Sequence, residues 1–106
     1  MRSAIVTFNG EEAGHLIQYD DGAFSFSYLP AWLSHRDKPA ISLTLPKREA
    51  PYHAPYLFAC FFNMLPEGVN REMYCKYFRI DDDDDFGLLL TVAPYDTIGA
   101  INVIPV

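Results

Sequence analysis

The sequence predicts an α+β fold built on an antiparallel sheet. Two turn signals, Asn9-Gly10 and Asp20-Asp21-Gly22, divide the first 28 residues into three strand-like segments, because both central positions of a type I′ hairpin turn require positive φ. The helical segments then cluster before a last strand instead of alternating with strands, which argues against a doubly wound fold. A chain of 106 residues is expected to form one domain, residues 1–106.

Five short strands are predicted from β-branched and aromatic residues and from alternation. They are residues 3–8, 12–19, 23–28, 41–46 and 98–104. In the third strand Phe24, Phe26 and Tyr28 point to one face and the intervening serines to the other. The last strand carries Gly99 as a bend or bulge. Five such strands predict a curled sheet or a partly open barrel.

Two to three helices are predicted before the last strand. Pro30 fits the first turn of a short additional helix, in which Trp32 is expected to anchor the core. Residues 56–65 (YLFACFFNML) are apolar on every side, which predicts a buried helix that ends at Pro66.

The next two helices are predicted from capping residues. Asn70 is the expected N-cap of residues 71–78, where apolar side chains recur at three and four positions. Asp85 is the expected N-cap of residues 86–92. Residues 47–53, between the fourth predicted strand and the helix predicted at residues 56–65, are predicted to be a polar loop.

The distribution of charge excludes several classes of site. The formal net charge is −6, and five of the fourteen acids form the run at positions 81–85. Without that run the chain is close to neutral and shows no basic face, so direct nucleic-acid binding is not expected. An EF-hand calcium loop starting at Asp81 would need glycine at its sixth position and glutamate at its twelfth. Those positions hold Phe86 and Val92, so the run is interpreted as a solvated loop or helix start.

The remaining composition predicts a cytoplasmic protein without cofactor, metal or membrane contact. No apolar stretch is long enough to cross a bilayer, and residues 1–10 lack the apolar region of a secretion signal. Cys60 and Cys75 are expected to remain reduced in that compartment. The three histidines show no metal-ligand spacing, and no catalytic residue is evident.

Five motifs in order carry a resemblance to a known family. They are GEEAGHL (10–16), FSFSYLPAWL (24–33), ISLTLP (41–46), FFNMLPEGVNR (61–71) and DFGLLL…YDTIGAINVIP (85–105). The fourth is similar to a "FF-x-x-LLP-(E/D)" motif and is the most specific. Together they resemble the N-terminal subdomain of HipA-type serine/threonine kinase toxins over essentially the whole chain. One departure is Pro94-Tyr95, where the family has Gly-Arg, although Asp96, Gly99 and Ala100 are retained.

The resemblance implies a fold and a partner but no kinase activity. The family's ATP-binding loop, catalytic Asp and magnesium ligands lie beyond the part that this sequence matches. A stand-alone subdomain of this kind is expected to dock on a HipA-like kinase core and neutralise it, as the small antitoxin of three-gene systems does. A helix-turn-helix DNA-binding protein is a further expected member of that complex. The alternative is a structural module or relic of a split kinase that stabilises or activates the kinase.

The expected partner-binding residues lie at a turn and in a loop. Residues at or after the end of a helix are available to a partner, and methionine and arginine are favoured at interfaces. The loop carries two of the eight bases and an aromatic residue. The candidates are Met64, Pro66, Glu67, Asn70 and Arg71 at the turn, and Lys47, Arg48 and Tyr52 in the loop.

An enzyme that uses paired carboxylates is the competing hypothesis from another class. Its candidates are Glu11, Glu12 and Asp96. The two glutamates are adjacent on a predicted strand and therefore point to opposite faces. No apolar pocket is implied around them, so the binding hypothesis is preferred.

Overall fold

The structure is a computed structural model that describes residues 1–94 and 100–106. Its strands are β1 (Arg2–Phe8), β2 (Glu11–Gln18), β3 (Phe24–Tyr28), β4 (Tyr52–Ala54) and β5 (Ile101–Pro105). Its helices are α1 (Pro30–Leu33), α2 (Ala59–Phe62), α3 (Gly68–Phe78) and α4 (Asp85–Val92). The predicted α+β class is confirmed, and three of the helices in these residues lie between the last two strands.

The five strands form one antiparallel sheet in the order β4-β3-β2-β1-β5. The sheet is not closed into a barrel, because β4 and β5 lie at its two edges, so the open sheet is the one of the two predicted arrangements that occurs. The first hairpin turn is confirmed by the positive φ of Asn9 (50°) and Gly10 (84°). The N-terminal meander is therefore as the sequence predicted, with β5 added beside β1.

The core lies between one face of the sheet and the helices. Phe24 meets Phe86 of α4 edge to face at 5.7 Å between ring centroids, and Phe26 meets Phe61 of α2 at 5.8 Å. Trp32 is buried, and its Nε1 donates a hydrogen bond to the carbonyl of Pro39 at 2.9 Å. The prediction that Trp32 anchors the core is confirmed.

The fourth strand was predicted in the wrong place. Residues 41–46 form a turn with a single bridge between Ser42 and Leu45, and β4 begins near the end of the segment predicted to be a polar loop. The Tyr28 hydroxyl accepts a hydrogen bond from the Ile41 amide at 3.1 Å and donates one to the Leu45 carbonyl. A side chain thus satisfies backbone groups that a strand would have paired. Leu43, at the tip of this turn, is 99% exposed.

The long buried helix predicted at residues 56–65 is also wrong. Only the single turn α2 is helical there, and Tyr56 is 79% exposed. The buried side chains of this segment are Leu57, Phe61 and Leu65, which recur every fourth residue. One apolar row therefore attaches the segment to the core, with Phe58, Cys60 and Met64 partly buried against it, whereas Phe62 is exposed like Tyr56.

The two predicted N-caps are each displaced. The N-cap of α3 is Glu67, without a side-chain cap bond, so Asn70 lies within the first turn. The N-cap of α4 is Asp84, whose carboxylate accepts a hydrogen bond from the Gly87 amide at 3.1 Å. Asp84 takes this position because Arg2 of β1 also binds its carboxylate. The predicted bend at Gly99 lies outside the described residues.

Candidate docking surface

The helix α3 is attached to the rest of the molecule along one side. Of its residues only Cys75 is buried. Arg71, one turn earlier on the same side, donates to the Asp82 carbonyl at 2.7 Å and pairs with the Asp85 carboxylate at 2.6 Å. At its C-terminus the Ile80 amide bonds back to the Cys75 carbonyl at 2.8 Å. These contacts hold α3 in place, and its apolar contacts with the core come from Cys75 and the half-buried Tyr74.

The other side of α3 is apolar and exposed to solvent. Val69 is 70% exposed, Met73 63%, Tyr77 81% and Phe78 47%. The aromatic rings pack on one another, and the half-buried Tyr74 also packs against the core. Tyr74 and Phe78 are stacked at 6.1 Å, and Tyr77 meets Phe78 edge to face at 4.9 Å.

We call this surface the α3 face and define it by six residues. They are Val69, Asn70, Met73, Tyr74, Tyr77 and Phe78. All of them except Val69, together with Lys76, line an open groove of ≈ 630 Å³. A contiguous apolar surface on a small domain marks a site of interaction with another macromolecule or ligand. The groove has no convergent acid–base groups, so its chemistry is that of binding.

The predicted turn residues lead directly into this surface. Glu67 and Asn70 are exposed, and Asn70 lines the groove. Met64 and Pro66 are half-buried, and Met64 packs against the core. Arg71 is engaged within the chain by Asp82 and Asp85, as described above. The turn therefore supplies the beginning of the α3 face and the contact that holds it.

The predicted loop residues are used to organise the loop itself. The Lys47 ammonium donates to the carbonyls of His35 and Lys38 at 2.7 and 2.8 Å. The Arg48 guanidinium lies 3.6 Å from the ring centroid of Tyr52, whose hydroxyl donates to the Pro46 carbonyl at 2.6 Å. Among the described residues, no hydrogen bond or ion pair joins these three side chains to the turn residues.

The residues that sequence reasoning missed are Val69 and the methionine and aromatic side chains of α3. Their recurrence at three and four positions was visible in the sequence. That pattern is typical of a helix face packed into a core. Only the structure shows that this face points away from the core.

The structure gives no support to the carboxylate hypothesis. Glu11 pairs with Lys38, and Glu12 is exposed, whereas Asp96 lies outside the described residues. In residues 1–94 and 100–106 no three His, Cys, Asp or Glu side chains are grouped so as to hold a metal ion. The same residues contain no helix with the length and hydrophobicity required to cross a membrane.

Comparison with known proteins identifies the family to which the chain belongs. The family model described as the HipA N-terminal domain matches residues 4–104. The chain belongs to the HipA N-terminal domain family. This HipA N-terminal domain superposes on a solved structure titled "N-terminal domain of HipA toxin" with a TM-score of 0.73 and 33% identity. That match covers 100% of this chain and 93% of the other.

Two relatives of this HipA N-terminal domain differ in length. An uncharacterized protein of Haemophilus influenzae is 34% identical over 103 residues, and the match covers 97% of this chain and 92% of that protein. A putative kinase, Y4mE of Sinorhizobium fredii, is 29% identical over 100 residues, covering 94% of this chain but only 24% of the kinase. The chain thus spans nearly all of one relative and about a quarter of the other.

Proposed function

We propose that this protein is a non-catalytic regulatory subunit that docks on a HipA-like kinase toxin and neutralises it, in the manner of an antitoxin. The observation that supports the proposal most directly is the exposed apolar α3 face on a HipA N-terminal domain. Proteins expose apolar surface to water only over small areas. A partner that covers the α3 face therefore gains the free energy of burying that apolar surface.

The putative kinase relative supplies the class of partner. In that protein about three quarters of the chain lies outside the matched domain. Domains within one chain commonly share interfaces that resemble those between separate proteins. A separate copy of the domain is expected to use the same kind of surface to bind a kinase chain from outside.

The same relative also favours a second function. The putative kinase contains this domain as part of its own chain, so the presence of the domain is compatible with a working kinase. By this alternative the protein stabilises or activates the kinase. A helix-turn-helix DNA-binding protein is an expected further member of the complex, and contact with DNA would belong to that protein.

The test is co-expression with the HipA-like kinase encoded in the same genome. We expect the two proteins to co-purify in a fixed ratio and the autophosphorylation of the kinase to fall in proportion to the bound fraction. The kinase alone is the control. A rise in autophosphorylation on binding would support the activator alternative instead. A genome without such a kinase, or two pure proteins that form no complex, would overturn both.

A further inference from the structure

We infer that the α3 face docks as a helix into an apolar groove with a basic rim on the kinase core. This inference deepens the proposed function and rests on it. It assigns the docking surface and the chemistry of the surface that receives it, which the family membership does not give.

The shape of the α3 face fits a groove. Val69, Met73 and Tyr77 form one row at a spacing of four residues, and Asn70, Tyr74 and Phe78 form a second row beside it. Rows of this spacing are the ridges that enter grooves when helices pack. Peptide helices bind grooves through the same i, i+4, i+7 or i+8 positions. Because Arg71 and Cys75 fix the side of α3 opposite the first row, the ridges are presented in a set orientation.

The charges beside the α3 face are mostly negative and unpaired. Asp84 and Asp85 of the acidic run bind Arg2 and Arg71. The three acids before them, residues 81–83, are exposed and take part in none of the ion pairs of the described residues. The Arg71 bond to the Asp82 carbonyl keeps this segment against α3.

The net charge on and next to α3 indicates which sign of charge the partner's surface should carry. The carboxylates are Glu67, Glu72, Asp81, Asp82 and Asp83, and the cations without a carboxylate partner among the described residues are Lys76 and Arg79. Five carboxylates and two cations give a net charge of −3 on and next to α3, beside its apolar surface. Interfaces match such a potential with one of opposite sign, which also accelerates association.

This charge argues against the other candidate partners of the α3 face. A second copy placed symmetrically on the α3 face would bring the same negative charges together. Anionic phosphate backbones and anionic lipid surfaces would be repelled for the same reason. An apolar surface rimmed by lysine and arginine on the kinase core is the occupant that fits both features.

The first experiment removes the apolar contacts. The variant M73S/Y77S is compared with L43S, which removes an exposed leucine from the turn at residues 41–46. We expect M73S/Y77S to raise the Kd for the same-genome kinase about thirtyfold, mainly through faster dissociation. L43S should leave the Kd within about twofold. Circular dichroism and urea unfolding establish that both variants are folded.

The second experiment removes the acidic rim. The variant D81N/D82N/D83N is compared with E12Q/D37N/E49Q, which removes three exposed carboxylates elsewhere. At low salt we expect the first variant to associate about fivefold more slowly than the wild type. Its association rate should also depend less on salt. The control should keep the wild-type rate and salt dependence within about twofold.

The outcomes separate this inference from the proposed function. If the wild type binds the kinase and M73S/Y77S binds equally well, the α3 face is not the docking surface, although the proposed function stands. If both acidic variants slow association equally, the rim has no special role and the basic partner surface is wrong. If the wild-type protein forms a dimer that M73S/Y77S abolishes, the occupant is a second copy. Absence of any complex overturns both proposals.

Discussion

At the scale of single residues, the Asp84 carboxylate has two functions at once. It caps α4, and it binds the guanidinium of Arg2 with two hydrogen bonds, at 2.7 Å and 3.1 Å. Arg2 also donates to the Gln18 side chain at 2.9 Å and lies over the Phe86 ring at 5.3 Å. One carboxylate therefore joins the first strand of the chain to its last described helix.

The Asp84 contacts predict a pH dependence of stability. The hydrogen bonds from Arg2 hold the pKa of this carboxyl below its ordinary value of 3.8, although partial burial opposes the shift. The folded state therefore binds the proton less well than the unfolded state does. The stabilisation is fully present above about pH 4 and is lost as the pH falls through the folded-state pKa.

Two substitutions separate the charge of Asp84 from its capping function. Asn retains the capping acceptor, so D84N should lose at most about 1 kcal/mol at pH 7. This loss should shrink as the pH falls below about 4. D84A should lose about 1 kcal/mol more at both pH values, because the cap is gone. Urea unfolding at pH 7 and pH 3 measures both differences, and a D84N deficit as large at pH 3 as at pH 7 would contradict the assignment.

At the scale of elements, the two long helices differ in how many side chains they bury. The helix α4 buries Phe86, Leu88, Leu89 and Val92, whereas α3 buries one cysteine. Stability in a small domain comes mainly from buried apolar area. It follows that the apolar residues of α4 are required for folding and those of the α3 face are not.

This contrast predicts how the two helices respond to substitution. M73S/Y77S should change the free energy of unfolding by less than about 0.5 kcal/mol, because both side chains are already in water. F86A in α4 should cost about 3–5 kcal/mol. Urea unfolding followed by circular dichroism measures both. A loss above about 2 kcal/mol in M73S/Y77S would mean that the α3 face belongs to the core.

The sequence predicted the elements that local chemistry determines. The meander follows from its turn residues and from the alternation in β3, and α1 begins at its proline as expected. The predictions failed where a distant group decides. Tyr28 converts the alternating residues 41–46 into a turn, and Arg2 selects Asp84 over its neighbour as the cap of α4. Neither contact is encoded nearby in the chain.

The candidate site was predicted only at its beginning. Pro66, Glu67 and Asn70 were selected because they follow a helix end, and they do lead into the α3 face. Met73 and Tyr77 were visible as a helical repeat, but periodicity states that a face is apolar without stating which way it points. The direction depends on the contacts of Arg71 with residues 82 and 85, which are tertiary contacts.

At the scale of the whole molecule, the two cysteines report on differently stabilised regions. Cys60 is in α2, and Cys75 is the one buried residue of α3; both are free thiols. Burial raises the pKa of the Cys60 thiol to about 11, so its reactive thiolate is scarce at neutral pH. The helix α3 contributes only Cys75 to the buried core, with the half-buried Tyr74 packed against it. Weakly packed elements open locally before the molecule unfolds.

We therefore predict different labelling rates for the two thiols at pH 7.5. In C60A, labelling of Cys75 should be fast and nearly independent of low urea concentrations, because local opening of α3 exposes it. In C75A, labelling of the partly exposed Cys60 should be slower because its thiolate is scarce, and it should also be nearly independent of low urea concentrations. Thiol-reagent absorbance measures both rates. Saturating kinase should slow the labelling of Cys75 in C60A if it covers the α3 face. A Cys75 labelling rate that rises with urea as global unfolding does would show instead that α3 opens only when the whole molecule unfolds.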